Sequence, residues 1–292
     1  MKTDKLKGII APLLTPFTED GVLDEEKVAT EVRLLADAGV DGISPGGSTG
    51  EGAALTDEEL ATMIRIIRRI APEMLIVAGV IRVSTKDAVK TGMIARQAGA
   101  DALMVTPVFY NVLVPDEEGN FVFYQEIAKT VGLPIVIYNV VPQNTITPQQ
   151  FSRLLHIPEV VGIKQSCGGI ASFYDMRMCN PDGKIFSATD EMLFSTFELG
   201  ADGAISAILT AFPEQCVEMW TLAQQGNHQK GMEIQNRLYF IWKAIAGNQF
   251  PLRIKYALKL LGRDAGMTRS PICHLSQAEK DRIAGALRQA GF

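Results

Sequence analysis

The 292-residue chain is 47% hydrophobic and 21% charged, a balance that builds a large core and excludes a disordered polymer. Its net charge is -5 and it holds no run of five basic residues, so neither nucleic acid nor a membrane surface is indicated as a partner. At this length the chain is either two ordinary domains or one α/β barrel.

The amino-terminal segment MKTDKLKGIIAPLLTPF carries Pro12 and Pro16 within its only apolar run. That run is too short and broken for a secretory signal, and no stretch of the chain approaches a membrane span. From there, short apolar runs alternate with amphipathic stretches: GIIAPLLT, GISPGG, LIVAGV, ALMVTP, IVIYNV, VVGIKQ, KIFSAT and GAISAI, the first beginning at Gly8 and the last at Gly203. They recur about every 28 residues, the length of a βα unit, and eight such units close a (β/α)8 TIM barrel. Continuous rather than alternating apolarity suits a parallel sheet covered on both faces.

Helix boundaries are legible too. Thr56 with Glu59 and Ser276 with Glu279 read as capping boxes, and Pro148 after Thr147 suits a first helical position. ADAGVDGI, ARQAGADAL and FELGADGAI each place a glycine where a left-handed residue ends a helix. Beyond about Gln225 the strands stop, and three helical stretches follow. The expected organisation is a catalytic barrel over residues 1–225 and a helical extension over 226–292. Cys167, Cys179, Cys216 and Cys273 form no C-x-x-C, and His156, His228 and His274 are not paired at ligand spacing. The reading is a reduced, cytoplasmic protein with no metal and no organic cofactor.

The loop GGSTGEG, from Gly46 to Gly52, matches the G-x-S-x-G of a nucleophile elbow. An elbow needs its helix directly after the serine, whereas the next helix signal here is Thr56; a P-loop is excluded because no Gly-Lys-Ser/Thr follows. Two readings remain: a tight βα turn, or a carboxylate site made by the backbone at Gly47 and the hydroxyls of Ser48 and Thr49. Placed after the second strand, the loop belongs to the catalytic face of a barrel.

Lys164, in VVGIKQ, is expected near the end of the sixth strand. An ammonium in an apolar barrel mouth is costly unless paired or neutral. It is therefore either salt-bridged to a neighbouring carboxylate or a neutral amine able to attack a carbonyl and form a Schiff base. Tyr138 closes the preceding run, IVIYNV, and adjacent strand ends place its phenol beside Lys164, where it can transfer protons provided a hydroxyl such as Ser48 relays them.

At this point GISPGGSTGEG with Glu59, YNVVPQNT and VVGIKQS together resemble the signatures of the dihydrodipicolinate synthase and N-acetylneuraminate lyase superfamily, over about residues 8–290. The resemblance implies a class I lyase in which Lys164 forms a Schiff base with a 2-oxo acid, usually pyruvate. It implies that Tyr138 transfers protons and that Ser48 and Thr49 hold the pyruvate carboxylate. It further implies that Ser48 links Tyr138 to a second tyrosine inserted across a dimer interface, here Tyr110, and that Ile205 and its neighbours line the pocket. A homo-oligomer, dimer or tetramer, follows from the same resemblance.

The chain also departs from the pattern. Dihydrodipicolinate synthases usually carry an arginine after YNVP that grips the second substrate; here the segment runs Tyr138-Asn-Val-Val-Pro142-Gln-Asn144-Thr, leaving Asn144 as the substrate-binding candidate. Asp190 and Glu191 resemble the acidic pair with which sialic acid lyase contacts sugar hydroxyls, or else they cap a helix. YNVVP and KQS resemble dehydrating and deaminating branches such as pyrroline-4-hydroxy-2-carboxylate deaminase. Outside this chemistry, a silent 2-oxo-acid-binding regulator is disfavoured by Lys164, Tyr138 and Ser48 standing together, and a metal-dependent class II aldolase by the lack of ligand clusters.

Overall fold

The computed structural model describes residues 3–272 and 274–292; Cys273 lies outside the described residues. Eight parallel strands close a barrel in chain order: β1 (Gly8–Pro12), β2 (Gly42–Ser44), β3 (Leu75–Val80), β4 (Ala102–Val105), β5 (Ile135–Asn139), β6 (Val160–Gln165), β7 (Lys184–Ser187) and β8 (Gly203–Ala204). Around it run α1 (Glu25–Asp37), α2 (Asp57–Ile70), α3 (Thr85–Ala98), α4 (Glu117–Val131), α5 (Pro148–Leu154), α6 (Gly169–Cys179) and α7 (Leu193–Glu198). After β8 come the short α8 (Ile208–Ala211) and α9 (Pro213–Gln224), then α10 (His228–Ile245), α11 (Phe250–Leu260) and α12 (Gln277–Gln289).

Every residue of β1, β3, β4 and β5 is buried, as a sheet covered on both faces requires. The pleat divides them: Ile9, Ala11, Ile76 and Ala78 pack toward the helices, while Ile10, Val77, Met104, Val136 and Phe186 form the cluster that fills the barrel. All eight expected strands are present, several shorter than their apolar runs. β2 stops at Ser44 because Pro45 cannot donate to the ladder and Gly46 turns back at φ 75°. β8 pairs through only two residues before the chain turns into α8.

The helix signals hold at both ends. Thr56, Thr147 and Ser276 each complete a reciprocal capping box with the residue three positions on. Gly39, Gly99 and Gly200 follow their helices at φ 78°, 107° and 89°. In the tail, α10 packs on α9 and α12, and α11 lies against the turn after β2 as well as on α12. Among the described residues no helix is long and apolar enough to cross a membrane.

Candidate active site

The glycine loop is shaped by close backbone approach. Gly52 donates its N–H to the Gly47 carbonyl at 2.9 Å, and a Cβ on Gly52 would meet the Gly46 oxygen at 1.7 Å. No other residue fits there without moving the chain. Ser48–Gly50 forms a single 3-10 turn and Gly52–Ala54 a second, so α2 begins only at Asp57 and Ser48 is not a nucleophile elbow.

Below this loop the register of the sheet assembles the chemistry. Tyr138 on β5 pairs with Lys164 on β6, which pairs with Phe186 on β7, so all three side chains enter the barrel at one level. Lys164 is 4% exposed and its Nζ lies 3.7 Å from the centre of the Tyr138 ring. That ring face is electron-rich and partly compensates a buried ammonium. The Tyr138 hydroxyl donates to Ser48 Oγ at 3.0 Å. Among the described residues no carboxylate forms a salt bridge with Lys164; the carboxylates of Glu51 and Glu31 are paired instead with Lys255 and Arg263.

The other sequence candidates divide. Gly47 and Thr49 flank Ser48 in the loop, and Ile205 is fully buried in the barrel cluster with Tyr138 and Phe186, its N–H donated to the Ser187 carbonyl. Asn144 bonds within the chain. Its amide donates to the Val108 carbonyl at 3.1 Å and exchanges two hydrogen bonds with the Asn120 amide, so it ties the loop after β4 to the loop after β5. Asp190 is also engaged, through one carboxylate oxygen. It accepts from the Ser206 hydroxyl and from the Ile208 N–H, while Trp242 Nε1 donates to Glu191 at 3.1 Å. Burial pushes the Asp190 carboxyl up to about 6, against the opposing pull of the Ser206 hydroxyl, the Ile208 N–H and the charge of Lys164. Tyr110 is 58% exposed and makes no hydrogen bond to Ser48 within the chain.

A cleft of about 580 Å³ opens over Ser48, and of the sequence candidates Ser48 alone lines it; Lys164 and Tyr138 lie buried beneath. Its walls come from the loops after β3, β4 and β5 and from the segments 247–251 and 269–272 of the tail.

Two features of the site escaped the sequence reading. Glu51 and Lys255 form a buried ion pair at 2.9 Å, and Lys255 Nζ also donates to the carbonyls of Thr15 and Met267. The second Glu51 oxygen accepts from the Arg269 N–H at 2.9 Å. A signal existed: Lys255 sits on the same face as Pro251, Ile254 and Leu258, a lysine in an apolar stripe. The second is Ser166, two residues past Lys164, whose buried hydroxyl finds no hydrogen-bond partner among the described residues, whereas Gln165 is held by Asn139, Cys167 and Ser172. Among the described residues no cluster of His, Cys, Asp and Glu is arranged to hold a metal ion.

Fold and site together define a (β/α)8-barrel lyase built around a buried lysine. The chain belongs to the dihydrodipicolinate synthetase family, whose profile matches residues 5–290. It is 32% identical over 293 residues to the 4-hydroxy-tetrahydrodipicolinate synthase of Bartonella bacilliformis, a match covering 98% of this chain and 99% of that one. The crystal structure of the chloride-inhibited dihydrodipicolinate synthase of Acinetobacter baumannii complexed with pyruvate superimposes with a TM-score of 0.90 at 29% identity, covering 98% of this chain and 99% of that one. N-acetylneuraminate lyase of Fusobacterium nucleatum superimposes with a TM-score of 0.87 at 27% identity, with the same coverage. The protein is accordingly a class I, aldolase-type lyase of this family.

Proposed function

We propose that Lys164 forms an imine with pyruvate or a close 2-oxo acid, and that Tyr138 and Ser48 move the protons this requires. The observation that carries the reading is the chain from Lys164 Nζ to the Tyr138 ring at 3.7 Å and from the Tyr138 hydroxyl to Ser48 Oγ at 3.0 Å. The neutral amine adds to the keto carbon, and Tyr138 supplies the proton with which the carbinolamine loses water. The protonated C=N then withdraws electrons from the neighbouring carbon, which loses a proton to the Tyr138 phenolate left by that step and gives the enamine, or, in the reverse direction, breaks a C–C bond. Ser48 and Thr49 are the first residues of the 3-10 turn, so their N–H groups find no carbonyl within it and, with their hydroxyls and the Gly47 backbone, are placed to hold the carboxylate. Ile205 walls the keto acid from below. Asp190 acts on this site through its charge near Lys164, and Asn144 by holding two mouth loops together.

Tyr110 completes the relay from a second copy of the chain. It stands at the tip of the loop after β4 with Val112 and Leu113, at 78% and 53% exposure, an apolar tip suited to burial against another protomer. A homo-oligomer in a reducing cytoplasm accords with this tip and with the free thiols of Cys167, Cys179 and Cys216.

Borohydride reduction in the presence of pyruvate tests the imine. One peptide, that of Lys164, is expected to gain the reduced adduct; full labelling of Lys164→Ala overturns the mechanism. The second substrate differs from that of a dihydrodipicolinate synthase, because no arginine follows Tyr138 and a charge-assisted grip is worth about 1.5–3 kcal/mol. Condensation of pyruvate with aspartate semialdehyde is therefore expected to run at least tenfold below the best substrate in kcat/KM, and parity contradicts this.

A further inference from the structure

We infer that the second reactant of this enzyme is a neutral aldehyde with an apolar substituent, bound in the cleft over Ser48; the inference rests on the imine reading above. The cleft is continuous with the site through Ser48 and is walled by Ile81, Phe109, Val140, Val141, Phe250 and Ile272, with Ala53 and Ala54 at its rim.

Its charged side chains are already engaged. Arg269, the basic residue of the lining, directs its guanidinium to both Glu59 oxygens, to the Gly21 carbonyl from two nitrogens, and to the Ala54 carbonyl at 2.7 Å. Glu51 is 8% exposed and held by Lys255 and the Arg269 backbone. A carboxylate entering the cleft loses its hydration and meets no free cation in the lining, which disfavours it. Thr106, Asn248, Gln249 and Ser270 also line the cleft and give a substrate scattered polar contacts, but no carboxylate pair for the vicinal hydroxyls of a sugar. The acidic pair that suits sugar hydroxyls is turned to Ser206, Ile208 and Trp242 and does not line the cleft. An aryl or alkyl group, by contrast, buries its surface against the apolar walls and gains by leaving water.

The reaction balances without a further reactant. The enamine carbon of the Lys164-bound keto acid gives its electron pair to the aldehyde carbon, forming the C–C bond, and the aldehyde oxygen takes a proton from Tyr138. Water then hydrolyses the imine, releasing a 4-hydroxy-2-oxo acid and the free amine of Lys164. Cleavage is the same sequence reversed.

The test is a competition of aldehydes with the intact enzyme and saturating pyruvate. Benzaldehyde and hexanal represent the apolar class, succinic semialdehyde the acidic and glyceraldehyde the hydroxylated. The expected result is a kcat/KM at least tenfold higher for an apolar aldehyde than for either other class. Equal or reversed preference, or no turnover of apolar aldehydes while borohydride still labels Lys164, overturns the inference and leaves the imine standing. Loss of labelling overturns both. Ala53→Arg, at an exposed position on the rim, places a free cation at the cleft and is expected to raise kcat/KM for succinic semialdehyde by about tenfold. An unchanged ratio between acidic and apolar aldehydes places the second substrate elsewhere and sinks the inference.

Discussion

Tyr138 and Asp190 are both buried at the barrel mouth, yet their chemistry is opposed. Tyr138 keeps its hydroxyl pointed at Ser48, the contact on which the proposed relay rests. Removing that hydroxyl in Tyr138→Phe is expected to slow turnover by about 10²–10⁴-fold while leaving Lys164 open to borohydride labelling at a reduced rate. Steady-state rates and labelling time courses separate the two effects; unchanged turnover removes Tyr138 from the relay. Asp190 is a carboxyl that burial raises from 3.8 to about 6. A folded-state value above the unfolded one means that its contribution to stability is fully present below about pH 3.8 and is lost as pH rises through about 6. A shift of about two units corresponds to about 3 kcal/mol. Asp190→Asn, which still accepts from Ser206 and Ile208, is therefore expected to gain on the wild type between pH 4 and pH 7 by up to about that amount. Denaturant unfolding across that window checks it, and parallel curves refute it.

At the scale of elements, the decisive contact joins α11 to the loop after β2. Lys255 brings an ammonium to Glu51, and Glu51 sits in the left-handed region at φ 55°, so the ion pair holds a backbone turn that a glutamate does not favour by itself. Removing one member of a buried pair leaves an uncompensated charge and costs about 3–5 kcal/mol. Lys255→Met is expected to lower thermal stability accordingly and to raise the KM for the 2-oxo acid, because the Ser48–Gly50 turn loses its support. The double variant with Glu51→Gln is expected to recover part of the stability, since no charge is then stranded. Additive losses in that cycle argue against the pairing. The elements themselves were largely legible. Apolar runs marked the eight strands and Thr56, Thr147 and Ser276 marked helix starts, because these signals are local. The Lys255–Glu51 pair was not, since its partners lie 204 residues apart.

For the whole molecule, the question is whether one chain holds a complete site. Tyr110 is exposed and makes no hydrogen bond to Ser48 within its own protomer, so the relay as proposed draws on a partner. Tyr110→Phe is expected to slow turnover while sparing imine formation more than Lys164→Ala does. Mixing the slowed Tyr110→Phe variant with Lys164→Ala is expected to raise activity above that of either alone once mass spectrometry shows that subunits exchange, because hybrid dimers regain one intact site. If exchange occurs and activity stays at the mutant level, the relay does not cross the interface.

What the sequence determined by itself was everything carried by short-range pattern. The βα repeat dictated a closed barrel, and the strand ends dictated that Lys164, Tyr138 and the glycine loop share one face, because parallel strands in register present their carboxyl ends together. What only the tertiary structure decided was which polar groups remain free. Asn144 and Asp190 have the same composition-level promise as Ser48, but Asn120 and Val108 engage both polar atoms of the Asn144 amide, and Ser206 and Ile208 engage one carboxylate oxygen of Asp190. Arg269 lines the cleft yet is consumed by Glu59, Gly21 and Ala54. A side chain's availability depends on neighbours distant in the chain, brought close only when the barrel closes and the tail folds over its mouth.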